Sequence, residues 1–186
     1  MDIIFDQALV SGNRRRALKA FDPKATFLLD IAAEELASRL AIIERRFDSA
    51  VSLFDVTGEA ATAALATGKV GDIQRVELAG AYRGNALATR EAALEAPELP
   101  PASVNLVLSP LSLHLTNDTP GVFVQIRRAL KPDGLFLAAI PGSGTLQELR
   151  EVLLAAESEI AGGASPRVIP FPDVREVGAL LQRGGF

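Results

Sequence analysis

The sequence predicts an α/β protein with an open, parallel β-sheet. Three apolar runs, at residues 50–54, 104–109 and 135–140, have the length of strands and are almost continuous in apolar character. Such runs are typical of strands that are buried on both faces. Helical patterns alternate with the apolar runs, and short loops with glycine, proline and aspartate join them. This alternation favours a sheet of parallel strands with right-handed crossovers.

The first half of the chain begins with a predicted helix over 25–46, in which apolar residues recur at helical spacing. Its buried stripe is expected to contain Phe27, Leu28, Ile31, Leu36, Leu40 and Ile43. The run 50–54 is the next predicted strand. The alanine-rich segment after it predicts a helix with Thr57 as N-cap and Gly68 at its end. The segment 72–78 predicts another strand, with Glu77 near its carboxyl end.

The second half continues the alternation after a stretch over 84–96 that fits either a helix or a helix–strand piece. Capping residues and turn signals separate its elements. In order, these are a strand from Val104 to Ser109, a helix starting close to Thr119, a strand over 135–140, a long helix over 143–160 with Leu146, Leu149, Leu153 and Ile160 on its apolar side, and a final helix capped by Asp173.

Composition excludes several classes of function. The net charge of −4 and the isoelectric point near 5.1 argue against a general nucleic-acid or anionic-membrane binder. The chain has no cysteine and one histidine, so no thiolate or multi-histidine metal centre is expected and we predict no metal site. The longest apolar run is too short to cross a bilayer. We therefore expect a soluble, cytoplasmic protein.

A basic run near the N-terminus, Arg14 to Arg16 with Lys19, has two interpretations. It could belong to a targeting helix or contact an acidic partner. Charge runs of this length usually form the solvated face of a helix, and we favour that interpretation.

The turn over 53–58 is where many α/β proteins hold a ligand. It contains Phe54, Asp55 and Val56 before Gly58, its single glycine. A nucleotide- or nicotinamide-binding turn of the pattern G-x-G-x-x-G is therefore absent, and nothing makes room for a pyrophosphate at the helix N-terminus.

The second half, "LSPLSLHLTNDTPGVFVQIRRALKPDGLFLAAIPGSGTLQELREVLLAAESEIAGGASPRV", resembles class I S-adenosylmethionine-dependent methyltransferases. "LKPDGLF" is widespread in that fold. "LSLHLTND", "RRALKPDG" and "TLQELR" are more specific to a branch that contains the methyltransferase of biotin synthesis and the complex I assembly methyltransferase-like proteins. At the start of the chain, "IFDQAL" and "RLAIIERRF" are similar to the same branch.

The resemblance implies a Rossmann-like methyltransferase sheet with helices on both faces. It divides the chain into a helical N-terminal extension, 1–48, and a methyltransferase domain, 49–186. The family ends in an antiparallel strand pair for which this chain has no counterpart, so we expect an open sheet edge and the possibility of a homodimer through it.

The resemblance also implies S-adenosylmethionine as cofactor, held by a loop of pattern D-x-G-x-G-x-G. Ser52 then stands at the acidic position, Phe54 and Val56 at the first two glycines, and Gly58 at the third. The ring of Phe54 is expected to obstruct the cofactor, and a positive φ at either substituted position would be costly.

Other family positions are filled more conventionally. Glu77 matches the acid that accepts hydrogen bonds from the ribose, although a solvated glutamate at a strand end is an equal alternative. Glu91 and Glu95 are candidates for the acid near the adenine, and Asn105 replaces an aspartate that is common in the fourth strand.

Ser109 and His114 are expected at the carboxyl ends of the strands, where open α/β sheets bind ligands. His114 is the candidate base, against the favoured alternative of a partly buried histidine bonded to the backbone.

Two functions follow from these expectations. The first is methyl transfer to a small-molecule or protein acceptor. The second is a cofactor-free, methyltransferase-like protein that acts as a binding or assembly factor, as for respiratory complex I, where the branch is implied to hydroxylate an arginine.

Overall fold

The computed structural model describes residues 3–186 and shows one five-stranded sheet of order β3-β2-β1-β4-β5, in which each neighbouring pair is parallel. The strands are β1 Phe47–Leu53, β2 Val70–Glu77, β3 Thr89–Glu91, β4 Val104–Pro110 and β5 Leu130–Ala139. The helices are α1 Gln7–Lys19, α2 Phe27–Ala41, α3 Glu59–Ala66, α4 Thr119–Ala129, α5 Gln147–Ala161 and α6 Val174–Arg183, with short 3₁₀ turns at Pro23–Thr26 and Leu113–Leu115.

Helices cover both faces of this sheet, which confirms the predicted architecture. Consecutive residues of β4 alternate between two buried clusters, because side chains of a strand point to opposite faces in turn. Leu106 belongs to the cluster beneath α2 and α3, and Val107 to the cluster beneath α4. The second cluster also receives Leu180 and Leu181 from α6. The strand order reverses between β1 and β4, which places the ligand crevice of an open α/β sheet at their carboxyl ends.

Helix α2, predicted over 25–46, covers only Phe27–Ala41, and three of the six residues predicted for its buried stripe are exposed. The chain leaves the helix after Ala41 because Phe47 already pairs with Val70 in the sheet. The part of α2 that packs inward consists of Ala32, Ala33, Leu36 and Leu40. Phe27, Leu28 and Ile31 are each more than half exposed. Helical spacing alone does not show where along a helix its packing partner begins.

The stretch over 84–96 forms the short edge strand β3 rather than a helix. The long helix α5 has the expected position, but none of its residues is buried, and Leu146, Leu149 and Ile160 are largely exposed. Asp173 caps α6 as predicted, in a capping box with Glu176.

The sheet has two edge strands among residues 3–186, β3 and β5, and β5 pairs only with β4. No strand follows β5 in this described part of the chain. Association of two copies through this edge stays a prediction, and elution as a monomer at high concentration would contradict it. The division at residue 48 also stays a prediction; it falls within β1.

Candidate functional site

The loop after β1 is closed by apolar packing. Phe54 has no exposed surface and belongs to the same buried cluster as Leu78, Leu94 and Leu113, which follow β2, β3 and β4. Its backbone N–H donates to the carbonyl oxygen of Val76 at 2.7 Å, which extends the pairing of β1 with β2. The crevice at the carboxyl ends of the strands is therefore filled by the ring of Phe54 at this point.

Phe54 adopts a φ of 56°, the left-handed conformation that costs residues with a side chain about 1–2 kcal/mol. This is the strain that the sequence predicted for a residue at a glycine position. Val56 does not share it, since its φ is not positive, and its side chain is half-buried. The carbonyl oxygen of Val56 accepts a hydrogen bond from the N–H of Arg83 at 2.8 Å.

The N-terminus of α3 is stabilised by Asp55, and the prediction of Thr57 as N-cap is wrong. The N-cap is Gly58, which has no side chain to accept a bond. The buried carboxylate of Asp55 instead accepts from the N–H groups of Gly58 at 3.2 Å and Ala61 at 2.9 Å. Gly58 has a φ of 80°, and a Cβ there would lie 2.4 Å from the amide nitrogen of Asn85. Any other residue would therefore be strained at this turn.

Ser52 and Ser109 use their hydroxyls inside the protein. Both are fully buried. The hydroxyl of Ser52 donates to a carboxylate oxygen of Asp55 at 3.3 Å, and that of Ser109 donates to the carbonyl oxygen of Leu53 at 3.3 Å. Neither side chain presents a group to the crevice, so the expectation that they contact a cofactor has no support in this geometry.

Glu77 forms an internal ion pair with Arg75. Side chains two residues apart on a strand share a face, and Nη2 of Arg75 donates to Oε1 of Glu77 at 3.0 Å, with no exposed surface on either residue. The same guanidinium donates to the carbonyl oxygens of Asp55 at 2.6 Å and Arg83 at 2.8 Å. The solvated strand-end alternative for Glu77 is therefore wrong, because the residue is fully buried and its Oε1 is bonded to Arg75.

Burial is the main cause of the pKa shifts of Glu77 and Asp55. It raises the pKa of Glu77 to about 8, against the opposing effect of the Arg75 charge. Burial likewise raises the pKa of Asp55, although hydrogen bonds from Ala61 and the charge of Arg75 lower it. One oxygen of Glu77, Oε2, is buried without a hydrogen-bond partner.

His114 lies in the 3₁₀ turn after β4 and is half-buried. Its Nδ1 is buried without a partner, so the expected bond to the backbone is absent at that atom. Burial, followed by the nearby charge of Arg14, lowers the pKa of His114 to about 4, and the ring is neutral at pH 7. His114 lines a cavity of about 310 Å³ with Thr116, Phe171 and Glu176.

The basic run on α1 is only partly solvated, which corrects the prediction. Arg15, Arg16 and Lys19 are exposed, but the guanidinium of Arg14 turns inward, and its Nη2 donates to the hydroxyl of Ser112 at 3.1 Å. Burial lowers the pKa of Arg14, and the neighbouring charge of Glu77 opposes that shift.

A larger cavity of about 1060 Å³ lies between the N-terminal segment and the carboxyl ends of β2 and β3. Glu91 and Glu95, the candidates for the acid near the adenine, both line it, and that role stays a prediction. Each is already bonded: Glu91 accepts from the N–H of Gly80 at 3.0 Å, and Glu95 accepts from Asn117 and Gln7. Asn105 is remote from this cavity and accepts from the hydroxyl of Ser49.

S-adenosylmethionine therefore does not fit the residues at the crevice in the manner of the family. Phe54 fills the place where a glycine would let the cofactor pass, and Arg75 holds the acid that would bind its ribose. The cavity beside Glu91, of about 1060 Å³, lies at the carboxyl ends of β2 and β3 instead. Among residues 3–186, no group of three or more histidine, aspartate or glutamate side chains could hold a metal ion.

The parallel sheet, its order and the crevice between β1 and β4 define a Rossmann-like methyltransferase fold. A family profile described as "Methyltransferase domain" matches residues 36–138, and the chain belongs to this family. The mitochondrial arginine-hydroxylase NDUFAF5 is 37% identical in Mus musculus and 36% in Homo sapiens, over 98% of this chain and 55% of each relative. The chain thus spans about half the length of these relatives.

Solved structures agree on the fold. A putative methyltransferase of Haloferax volcanii, in complex with the activator Trm112, superposes with a TM-score of 0.67 at 17% identity, covering 92% of this chain and 75% of that one. A methyltransferase of Thermotoga maritima superposes with a TM-score of 0.63 at 19% identity, covering 92% and 79%.

The expectation of a cytoplasmic protein is contradicted by the relatives, since the mouse, rat and human proteins are named as mitochondrial. Within residues 3–186, no helix has both the length and the apolar character needed to span a bilayer.

Sequence reasoning missed the two arginines of the site. Arg75 could have been found, because a charge two residues before an acid on a buried strand needs a partner on the same face. Nothing in the sequence separates Arg14 from its exposed neighbours Arg15 and Arg16.

Proposed function

We propose that this chain is a methyltransferase-like binding factor that recognises a protein partner without S-adenosylmethionine. The observation that carries the proposal is the fully buried pair of Arg75 and Glu77. A ribose that donates to both oxygens of Glu77 would have to displace Arg75 from Oε1, and this guanidinium also bonds three other acceptors. Leaving a buried hydrogen-bonding group without its partner costs about 1–3 kcal/mol, which a cofactor would have to supply from its own binding energy.

The apolar packing of Phe54 supports the same function. A ring without exposed surface at the first glycine position has to leave its cluster before the cofactor passes. Loss of such burial costs about 3–5 kcal/mol. Phe54 lies in the loop after β1 and the Arg75–Glu77 pair on β2, and the two are linked, since Arg75 donates to the carbonyl oxygen of Asp55 and the N–H of Phe54 donates to that of Val76.

The relatives support a protein partner. Those that match nearly the whole chain at 35–37% identity are named arginine-hydroxylases, and the branch that the sequence resembles is implied to assemble respiratory complex I. We propose a subunit of that complex as the partner.

Methyl transfer remains the second candidate. The cavity of about 1060 Å³ beside Glu91 favours it, since it is large enough for a ligand and lies at the carboxyl ends of β2 and β3. A malonyl-[acyl-carrier protein] O-methyltransferase of Methylovorus is 25% identical over 98% of this chain and 64% of that protein.

Methyl-labelled S-adenosylmethionine distinguishes the two candidates. The chain is incubated with it and either malonyl-acyl carrier protein or purified subunits of respiratory complex I, and a malonyl-acyl carrier protein methyltransferase serves as positive control. We expect no label on any acceptor, and saturable binding of one subunit that added cofactor leaves unchanged. Label on an acceptor at a rate comparable to the control would replace the proposal with methyl transfer.

A further inference from the structure

Helix α5 exposes a continuous line of apolar side chains, which we call the α5 stripe. Four residues at a spacing of three or four positions form it: Leu149, Val152, Ala156 and Ile160. This spacing places them on one side of the helix. Val152 is 65% exposed and Ile160 is 86% exposed. A contiguous apolar patch that is left exposed marks an interaction surface.

The helix needs a contact along this stripe for its stability. It has 15 residues, none of which is buried, and its N-cap residue, Leu146, makes no capping hydrogen bond through its side chain. An isolated helix of about 12–15 residues is marginally stable in water, because most helices gain their stability by packing an amphipathic face. The α5 stripe is the face of this helix whose covering would supply that packing.

One flank of the stripe is already covered by the chain itself. Glu157 accepts hydrogen bonds from the N–H of Ser165 at 2.7 Å and from Nε of Arg167 at 2.6 Å. The segment 164–168 and Arg150 line a cavity of about 240 Å³ between them. The charge of Glu157 is therefore paired, and this flank is not accessible to a further helix.

The opposite flank is open and acidic. Neighbouring residues of a helix point about 100° apart, so the residue before a stripe residue lies on one flank and the residue after it on the other. Glu148 and Glu159 each come directly before a stripe residue, whereas Arg150 and Glu157 each come directly after one. Both Glu148 and Glu159 are exposed. The single cation of α5, Arg150, belongs to the covered flank, so the open flank carries only negative charge.

These charges disfavour a second copy of α5 as the occupant. In an antiparallel pair of α5 helices the two acidic flanks would face each other, and like charges placed opposite each other weaken an interface. In a parallel pair the acidic flank of one helix would meet the segment 164–168 of the other. The flank with Glu148 and Glu159 is instead complementary to cations.

We propose that the α5 stripe docks an amphipathic helix of the protein partner, whose apolar face covers the stripe and whose lysine or arginine side chains meet Glu148 and Glu159. This inference rests on the proposed function and names the kind of segment by which the partner binds. The occupant is a helix rather than a strand, because α5 offers no free backbone edge for a strand to pair with and presents an apolar line at helical spacing.

The test uses two labelled peptides of about five helical turns, both with leucine along one face, and measures binding by fluorescence anisotropy. One peptide has lysine beside the leucine face, and the other has glutamate in place of every lysine. We expect the wild-type chain to bind the lysine peptide saturably and the glutamate peptide not at all, because only the first complements the open flank.

Val152→Glu and Ile160→Glu test the stripe at two exposed positions, where the change does not disturb a core. Each should weaken binding of the lysine peptide at least about tenfold. Ser158→Glu adds the same charge on the opposite side of α5 and should leave the affinity unchanged. A purely electrostatic attraction would become stronger in all three variants, because each adds a negative charge. Circular dichroism confirms that the variants are folded.

A second set of variants tests the acidic flank. Glu148→Gln combined with Glu159→Gln should weaken binding about threefold or more, and the difference from wild type should disappear at high salt. Glu34→Gln combined with Glu44→Gln removes two exposed acids elsewhere in the chain and serves as the matched control. An equal loss in both double variants would overturn the inference, since the peptide would then respond only to net charge.

Two further results would also overturn the inference. Val152→Glu could bind the lysine peptide as tightly as the wild type, or it could convert a wild-type dimer into monomers in size-exclusion chromatography with light scattering. The second result would show that another copy covers the stripe. Binding of a complex I subunit that Val152→Glu leaves unchanged would overturn the inference and leave the proposed function standing, since the partner would then bind elsewhere. The methyl-label assay tests that function separately, because neither peptide assay contains S-adenosylmethionine.

Discussion

Arg75 and Glu77 lie two residues apart on β2, 3.0 Å from nitrogen to oxygen, and neither has any exposed surface. This pair determines which polar groups of the crevice a ligand can reach. The resemblance to methyltransferases implies that the acid at this place accepts hydrogen bonds from a cofactor, and here a neighbouring guanidinium is bonded to one of its two oxygens.

Removing one partner of this pair should be strongly destabilising. Arg75→Met leaves the carboxyl of Glu77 buried beside an apolar chain, so we expect a loss of about 3–5 kcal/mol of unfolding free energy. The double variant Arg75→Met with Glu77→Leu should recover part of this loss, because no buried charge remains. Urea denaturation measures both. As a control, Glu35→Ala breaks the exposed pair with Arg39 and should cost less than about 1 kcal/mol. Equal losses in the single and double variants would show that packing, and not charge, holds Arg75.

Because the backbone at Phe54 is strained, a glycine variant should be more stable there than an alanine variant, the reverse of the usual order. Phe54→Ala and Phe54→Gly both empty a fully buried site, at a cost of about 3–5 kcal/mol. Because φ is 56° there, glycine avoids a strain that alanine retains, so the glycine variant should be the more stable by about 1 kcal/mol. Thermal unfolding of the two purified variants provides the comparison. If alanine proves the more stable, the left-handed conformation does not exist in solution.

Asp55 rather than Thr57 should carry the stability of the α3 N-terminus. Asp55→Ala leaves two backbone N–H groups without their acceptor and should cost about 1–3 kcal/mol. Thr57→Ala should cost much less, since its hydroxyl is 3.4 Å from the N–H of Glu59. Chemical denaturation of both variants tests this order, and the reverse ranking would restore Thr57 as the cap.

Stability should depend on pH through groups with opposite signs, Glu77 and His114, and Asp55, whose pKa burial also raises, acts in the same direction as Glu77. The pKa of Glu77 is raised to about 8, so the folded state binds the extra proton and stability falls as pH rises from about 4.5 to 8. The pKa of His114 is lowered to about 4, so stability rises with pH between about 4 and 6.5. The two effects offset each other below pH 6.5. Above it, stability should fall by about 2 kcal/mol up to pH 8.

A histidine variant separates these contributions. In His114→Gln the contribution that increases stability with pH is absent. The decrease in unfolding free energy should therefore begin near pH 4.5 instead of pH 6.5. Unfolding free energies across pH 4.5–8 measure both curves. Identical curves for the variant and the wild type would show that His114 titrates with its ordinary pKa.

The sequence predicted the sheet, the alternation of elements and the obstruction at Phe54, because these depend on residue types at local spacing. It did not predict the roles of Arg14 and Arg75. The guanidinium of Arg14 reaches Ser112, 98 positions away in the chain. The exposure of Phe27 and Ile31 was missed for a related reason, since a helical stripe does not reveal where its packing partner ends. Contacts between distant segments decide both.

The most direct measurement is titration calorimetry of the chain with S-adenosylmethionine and with S-adenosylhomocysteine. Because Phe54 closes the loop after β1 and Arg75 is bonded to Glu77, we expect no detectable heat of binding at millimolar ligand. The double variant Phe54→Gly with Val56→Gly should then bind measurably, because the loop regains two glycines. Micromolar affinity of the wild type for either ligand would contradict the account, since Phe54 and Arg75 would both have to leave the positions described here.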